Sequence, residues 1–265
     1  FVPRRWLTTT IERLTGHEHQ ILVRDDLIKV VVVSAVQTRQ RLRHGLWIPS
    51  ILISVSLCLF CYNESEKKVL TVRNKSLPFK NALVLPNKLL KYNQSLDEVC
   101  TEILTENIGN QEIYIEQLNA FGKLYRNPIG RVIDISFYGL INLEKDNVVL
   151  NHKNDAKFKN IESNLELAFD HNEMIELALK RIKRRMKYRP LGKNLLPNEF
   201  TMNELEGLYS SFLSKKFDTR NFRRRIFEMD ILREVKKVQR NSRGRKSILY
   251  EFDPKKYENY SNNGF

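Results

Sequence analysis

The stretch FDTRNFRRRIFEMDIL, Phe217 to Leu232, constrains this chain more than any other, because it makes sense only as a helix with one buried and one cationic face. Asp218 is a good N-cap, and neither Gly nor Pro interrupts the run that follows. At about 100° per residue Phe222, Ile226 and Met229 share one face, at i, i+4 and i+7. Arg220, Arg223 and Arg224 project from the other side, with Asn221 and Arg225 beside them. Guanidinium is the group best suited to paired contacts with phosphate or guanine. An Arg run alone is more often a solvated face, so the flanking segments have to decide.

Upstream, EFTMNELEGLYSSFL places Thr201 as N-cap and Glu204 three residues on as its capping-box partner, with Leu205, Leu208, Tyr209 and Phe212 as an apolar stripe. Downstream, Leu232 to Val238 and Ser247 to Phe252 have the pattern of two short strands. The loop QRNSRGRK joins them, with Gly244 at its turn and Arg243, Arg245 and Lys246 as its charges. Helix, turn, basic helix and basic hairpin is the order of a winged helix-turn-helix. In that module the second helix enters the major groove of double-stranded DNA and the hairpin meets the flanking backbone. Arg220, Asn221, Arg223, Arg224, Arg225, Arg243, Arg245 and Lys246 are the expected DNA contacts.

The charge supports this. Of the formal +14, residues 180–256 carry 23 Lys/Arg against 9 Asp/Glu, and the remainder is balanced at 22 against 22. Such concentration fits counterion-releasing contact with a polyanion, beside a neutral partner domain. A membrane surface is the lesser alternative, and no membrane partner is expected. Leu46 to Tyr62 is uncharged but falls short of the roughly 20 residues of a span; ISVSLCLFCY alternates like a strand, NESEKK reads as a turn, and VLTVRN returns.

Three cysteines form no disulfide framework in a chain this long, which fits a reducing cytoplasm. Cys58 and Cys61 make a CxxC inside the alternating run, where i and i+3 face opposite sides of a sheet. No metal site and no cofactor are expected. Residues 1–48 differ from the rest: the first 50 residues hold seven Arg, one Lys and no Asn, against 15 Arg and 22 Lys thereafter. This segment reads as an N-terminal extension, disordered or locally helical, outside the functional argument.

Residues 82–109, ALVLPNKLLKYNQSLDEVCTEILTENIG, run through a loop into a helix capped by Ser95, with Leu96, Val99, Cys100 and Ile103 on its core face and Gly109 at its end. QEIYIEQLNAFG then reads as a strand pair. Here the chain resembles a Nudix domain, whose box is G-x5-E-x7-REUxEExGU. Lys88 stands at the first Gly, Gln94 at the first Glu, Glu102 at Arg, Ile103 at Glu, Leu104 at the aliphatic position, Glu106 at Glu, Asn107 at Glu and Gly109 at Gly. The resemblance implies carboxylates at 103, 106 and 107 to hold a divalent cation against a diphosphate. Only Glu106 remains, so no catalytic residue is assigned and hydrolysis is not expected. Glu98, Glu102 and Glu106 form an acidic row whose expected meaning is a solvated face.

Beyond the box, FGKLYRNPIGRV is similar to the FGxxxRxPxGRV segment of the Nudix-related transcriptional regulators, and the C-terminal segments LLPNEFTMNELEGLY, DTRNFRRR and GRKSILYEF resemble the winged helix of the same group. The resemblance covers roughly residues 53–253. It implies an α+β chain: a Nudix-like α/β/α sandwich with a mixed sheet over residues 49–188, a winged helix over 189–258 and a tail from 259. It further implies a homodimer on an operator and a small-molecule effector, a sugar or an ADP-ribose-like nucleotide, with the broken box leaning towards the sugar. Arg126 and Arg131 are the candidate effector contacts, structural ion pairing being the alternative for each. The competing readings are a hydrolase of nucleoside diphosphate derivatives with a basic C-terminal domain, and an RNA-associated basic protein.

Overall fold

A computed structural model of the protein describes residues 39–41, 47–49, 51–63, 65–109, 113–146, 148–186, 190–238 and 247–263. The chain divides into two compact units. One comprises residues 1–52 and 122–133, the other 53–121 and 134–265. In the first, β1 (Arg39–Arg41) pairs antiparallel with β2 (Trp47–Pro49), so the stretch expected to be disordered or locally helical contains a strand pair.

The second unit is built on a seven-stranded sheet. β3 (Leu52–Asn63) and β4 (Glu66–Arg73) form its central hairpin. β5 (Leu83–Val84) and β9 (Lys157–Asn160) pair with β4, and β6 (Asn87–Leu89) pairs with β3. β8 (Val132–Ile141) lies on the other side of β3 and carries β7 (Ile115–Phe121) at the edge. β7 is one strand where a strand pair was expected. β4 begins inside the expected turn NESEKK, and its Lys67 is buried.

Strand alternation gives the sheet two apolar faces. On one, Val55, Leu57, Leu59 and Cys61 pack against α1 (Leu96–Ile108) through Val99, Cys100, Ile103, Leu104 and Ile108. On the other, Cys58, Phe60, Val69, Tyr138 and Leu140 meet α2 (His171–Met186) through Met174, Ile175, Ala178 and Ile182. Cys58 and Cys61 thus sit on opposite faces, in separate cores. Burial pushes both thiols up, Cys61 to about 12, which keeps them protonated and unreactive. The basic end of α2 is anchored to the sheet edge: Arg185 pairs with Glu116, and Tyr138 donates to the same carboxylate at 2.7 Å.

The winged helix follows. α3 (Met202–Leu213) begins at the Thr201/Glu204 capping box, and Ser214, left-handed at φ 52°, ends it. α4 (Thr219–Glu228) begins at Asp218, which accepts from Asn221 N at 2.8 Å. β10 (Phe200–Thr201), β12 (Ser247–Phe252) and β11 (Leu232–Val238) form an antiparallel sheet in that spatial order, with a bulge at Glu234/Lys236. α5 (Pro254–Asn263) runs through the boundary where a tail was expected, and its Tyr257 and Tyr260 pack on the core.

The apolar cluster behind the sheet does not stop at α2. Leu191, Leu195, Phe200, Leu205, Leu208, Phe212, Phe222 and Ile226 belong to the same cluster as Phe60 and Tyr138. Polar ties reinforce it. Lys67, only 8% exposed, donates to the Ser211 carbonyl at 3.0 Å and pairs with Glu162 at 2.8 Å, which puts a cation at the negative end of α3. Lys183 reaches Ser214 Oγ at 3.0 Å, and Asn142 Nδ2 donates to the Leu195 carbonyl at 2.9 Å. Among the described residues, no helix is long and apolar enough to cross a membrane.

Candidate functional site

Two surfaces carry chemistry. The first is α4. Phe222 and Ile226 are buried and Met229 is half-buried, while Arg220, Asn221, Arg223, Arg224 and Arg225 are all exposed. The rings of Tyr209 on α3 and Phe217 lie 5.6 and 5.4 Å from Phe222 and fix the inner face. Phe227 braces the helix against the wing, 5.7 Å from the Tyr250 ring on β12. Arg223 Nη2 donates to Asn203 Oδ1 at 2.8 Å, which aims its guanidinium along α3. Arg224 faces Glu228 one turn on at 3.7 Å, both side chains about two-thirds exposed, a pairing worth at most a few tenths of a kcal/mol. The wing residues Arg243, Arg245 and Lys246 lie outside the described residues.

The second is a cleft of about 330 Å³ at the mouth of the Nudix-type box, lined by Arg73 at the end of β4, Lys75 just after it, Lys88 on β6 and Glu106 and Asn107 on α1, among others. Arg73 is held by Asp155 at 3.2 Å and by the Asn81 carbonyl at 2.8 Å; Lys75 donates to the Asn154 amide oxygen at 2.7 Å. Lys88 Nζ lies between two carboxylates, 2.8 Å from Glu102 and 2.5 Å from Glu106. Gln94 donates to Glu102 as well. The acidic row is therefore not a plain solvated face: two of its members clasp one ammonium, and Glu98 closes the capping box on Ser95. Desolvation works against the Lys88 proton, but the hydrogen bonds and charges of Glu102 and Glu106 prevail and raise its pKa. The same ammonium lowers the pKa of Glu102.

A divalent cation does not fit this donor set. Ile103 is 1% exposed and belongs to the core. Asn107 is buried, its Nδ2 donating to the Ile103 carbonyl at 2.7 Å and its Oδ1 accepting from Asn154 at 3.2 Å. Neither supplies an anionic oxygen, and the two remaining carboxylates already hold a cation. Among the described residues no group of three or more His, Cys, Asp or Glu is placed to hold a metal.

Of the expected effector contacts, Arg131 is engaged within its own loop, donating to the Gly122 and Lys123 carbonyls at 2.8 and 3.1 Å. Arg126 sits in that loop, its backbone N–H directed at Lys123 O at 3.4 Å. Arg73 and Lys75 were missed because they lie at and just beyond the end of a strand that carries no motif. Another cavity, about 620 Å³, lies where the sheet meets the winged helix, between Tyr62, Asn142, Glu144 and Glu204; the described residues that line it include no Lys or Arg. It is the poorer place for an anion.

Residues 192–252 match the NrtR DNA-binding winged helix domain. Over the longer span, the ADPR responsive transcriptional repressor NtrR of Acinetobacter baylyi is 27% identical across 214 residues, 79% of this chain and 85% of the relative. The crystal structure of Shewanella oneidensis NrtR complexed with a 27mer DNA superposes with a TM-score of 0.68 at 27% identity, covering 78% of this chain and 95% of that one. The chain resembles the Nudix-related transcriptional regulators in both of its parts. Its two parts are then a Nudix-like domain and a winged helix in the order of that family, and the arginine face of α4 is the outer face of the second helix of its reading module. An ADP-ribose pyrophosphatase of Methanocaldococcus jannaschii is 28% identical over 116 residues, 43% of this chain and 66% of the relative.

Proposed function

We propose that this regulator is a cytoplasmic transcriptional repressor that reads operator DNA through α4 and its wing, and leaves it when an ADP-ribose-type nucleotide enters the box cleft. The arginine face of α4, backed by Phe222 and Ile226, carries the first half of this reading. The cleft carries the second. Three cations, Arg73, Lys75 and Lys88, line a space of about 330 Å³, an arrangement suited to a diphosphate and not to a neutral sugar. The Acinetobacter relative is ADPR responsive. Both observations favour the nucleotide over the sugar that the broken box had suggested. A homodimer on a palindromic operator follows from the need to place two such helices on one face of the duplex.

Genomic fragments retained by the protein at physiological salt identify the operator. Fluorescence polarisation on that fragment should then show release by ADP-ribose, with arabinose inert. Equal affinity for unrelated duplexes and structured RNA would replace this reading with that of a general polyanion binder.

The match to an ADP-ribose pyrophosphatase keeps the hydrolase reading in view. Against it stand Ile103 in the core, Asn107 tied to backbone and Lys88 between the two glutamates. Hydrolysis needs a hard cation held by several anionic oxygens. Incubation with ADP-ribose and magnesium or manganese should therefore release no AMP above a no-protein control. Turnover that vanishes in Glu106→Gln would restore the hydrolase.

A further inference from the structure

The box of this chain has lost two of its three metal-ligand carboxylates, but the space they served is not left without positive charge. Lys88 comes from β6, where it pairs with Val55 of β3, and its side chain crosses to α1 to reach Glu102 and Glu106. An ammonium has three N–H donors. Two are engaged by the carboxylates, and one remains for a ligand in the cleft that Lys88 lines. Two further cations line the same cleft. Lys75 donates to a neutral amide, and Arg73 is oriented by Asp155 and the Asn81 carbonyl.

We propose that Lys88 is a resident, covalently tethered cation of this cleft, bridging Glu102 and Glu106 to the effector's phosphate, so that the regulator takes a diphosphate ligand without a divalent metal. The proposal rests on the reading of the cleft as the effector site. Its physical content is a substitution of one cation for another. A magnesium ion requires about six oxygen ligands in near-octahedral array; Glu102 and Glu106 offer no such array, and the ammonium already occupies the space between them. The same two carboxylates fix the ammonium in place, so its charge is oriented before the ligand arrives. Loss of the cation by substitution should leave two adjacent carboxylates without a counter-ion and make the cleft attract metal.

The test uses the full chain and two measurements. Calorimetry with ADP-ribose in excess EDTA, and again in millimolar magnesium, should give dissociation constants agreeing within about twofold. Manganese titration followed by EPR should show no binding to the native protein. Lys88→Met keeps the aliphatic stem and removes the charge. It should weaken metal-free ADP-ribose binding by about tenfold or more and acquire manganese binding, whereas Lys88→Arg should retain the metal-free mode. Native binding that disappears in EDTA and returns with magnesium overturns the proposal, as does manganese bound by the native protein. If ADP-ribose gives no heat under either condition, the effector reading fails by itself. The manganese titration then decides alone: binding by Lys88→Met only supports the tethered cation, and any other pattern refutes it.

Discussion

Replacing Arg220, Arg223 and Arg224 together by Ala should abolish specific operator binding and leave the fold intact. All three side chains lie on the exposed face of α4, opposite Phe222 and Ile226, so their loss removes no core contact. A bidentate contact from Arg to a base is worth about 1–3 kcal/mol; three at the low end amount to about 3 kcal/mol, roughly 100-fold in affinity. Those that meet phosphate instead act through counterion release, and each one lost lowers the slope of log affinity against log salt by about 0.9. Arg224 is free to contribute despite Glu228, because an exposed pair at 3.7 Å is worth little. Electrophoretic or polarisation titration at two salt concentrations separates the two contributions. Undiminished operator binding by the triple variant would show that α4 is not the reading element.

Phe212→Ala should destabilise the sensor and the reader together. Phe212 is fully buried on α3, and its ring lies 6.3 Å from that of Tyr62 on β3, so it stands at the joint of the two modules. Truncating a buried Phe costs about 3–5 kcal/mol in lost transfer energy and cavity, a large share of the roughly 5–15 kcal/mol that holds a typical domain. At about 2–4 °C per kcal/mol for a chain of this size, the melting midpoint should fall by roughly 6–20 °C. The decisive feature is the number of transitions. Phe60 of the sheet and Phe222 of α4 belong to one cluster, so calorimetry should show a single, shifted transition. Two transitions, with only one displaced, would mean that the modules fold independently.

The features legible in the sequence were local. Asp218, Thr201 and Ser95 cap helices because a short polar side chain before an apolar period meets the first backbone N–H groups wherever the chain goes next. The opposite facing of Cys58 and Cys61 followed from strand alternation alone. What could not be read depended on partners far along the chain. The row Glu98, Glu102, Glu106 resembles a solvated face until β6 brings Lys88 across to it from fourteen residues before Glu102. Lys67 looks like a turn residue, yet it is buried under a carbonyl of α3, 144 residues further on. Arg131, a candidate ligand contact by motif, closes its own loop.

The cluster that joins sheet, α2 and winged helix has a consequence in mass action. A ligand that binds only the native chain adds RT ln(1 + [L]/Kd) to its free energy of unfolding, about 2.7 kcal/mol at a hundred times Kd. Were the winged helix packed on a core of its own, that increment would protect the liganded half alone. Here Leu85, between the cleft-lining Val84 and Pro86, and Ile226 of α4 belong to one cluster, so occupancy of the cleft lowers the unfolded fraction of sheet and winged helix together. Proteases act on that fraction. Under the proposed function, the effector that clears the operator also lengthens the life of the protein it removes, leaving a standing stock ready to rebind when the ligand is consumed.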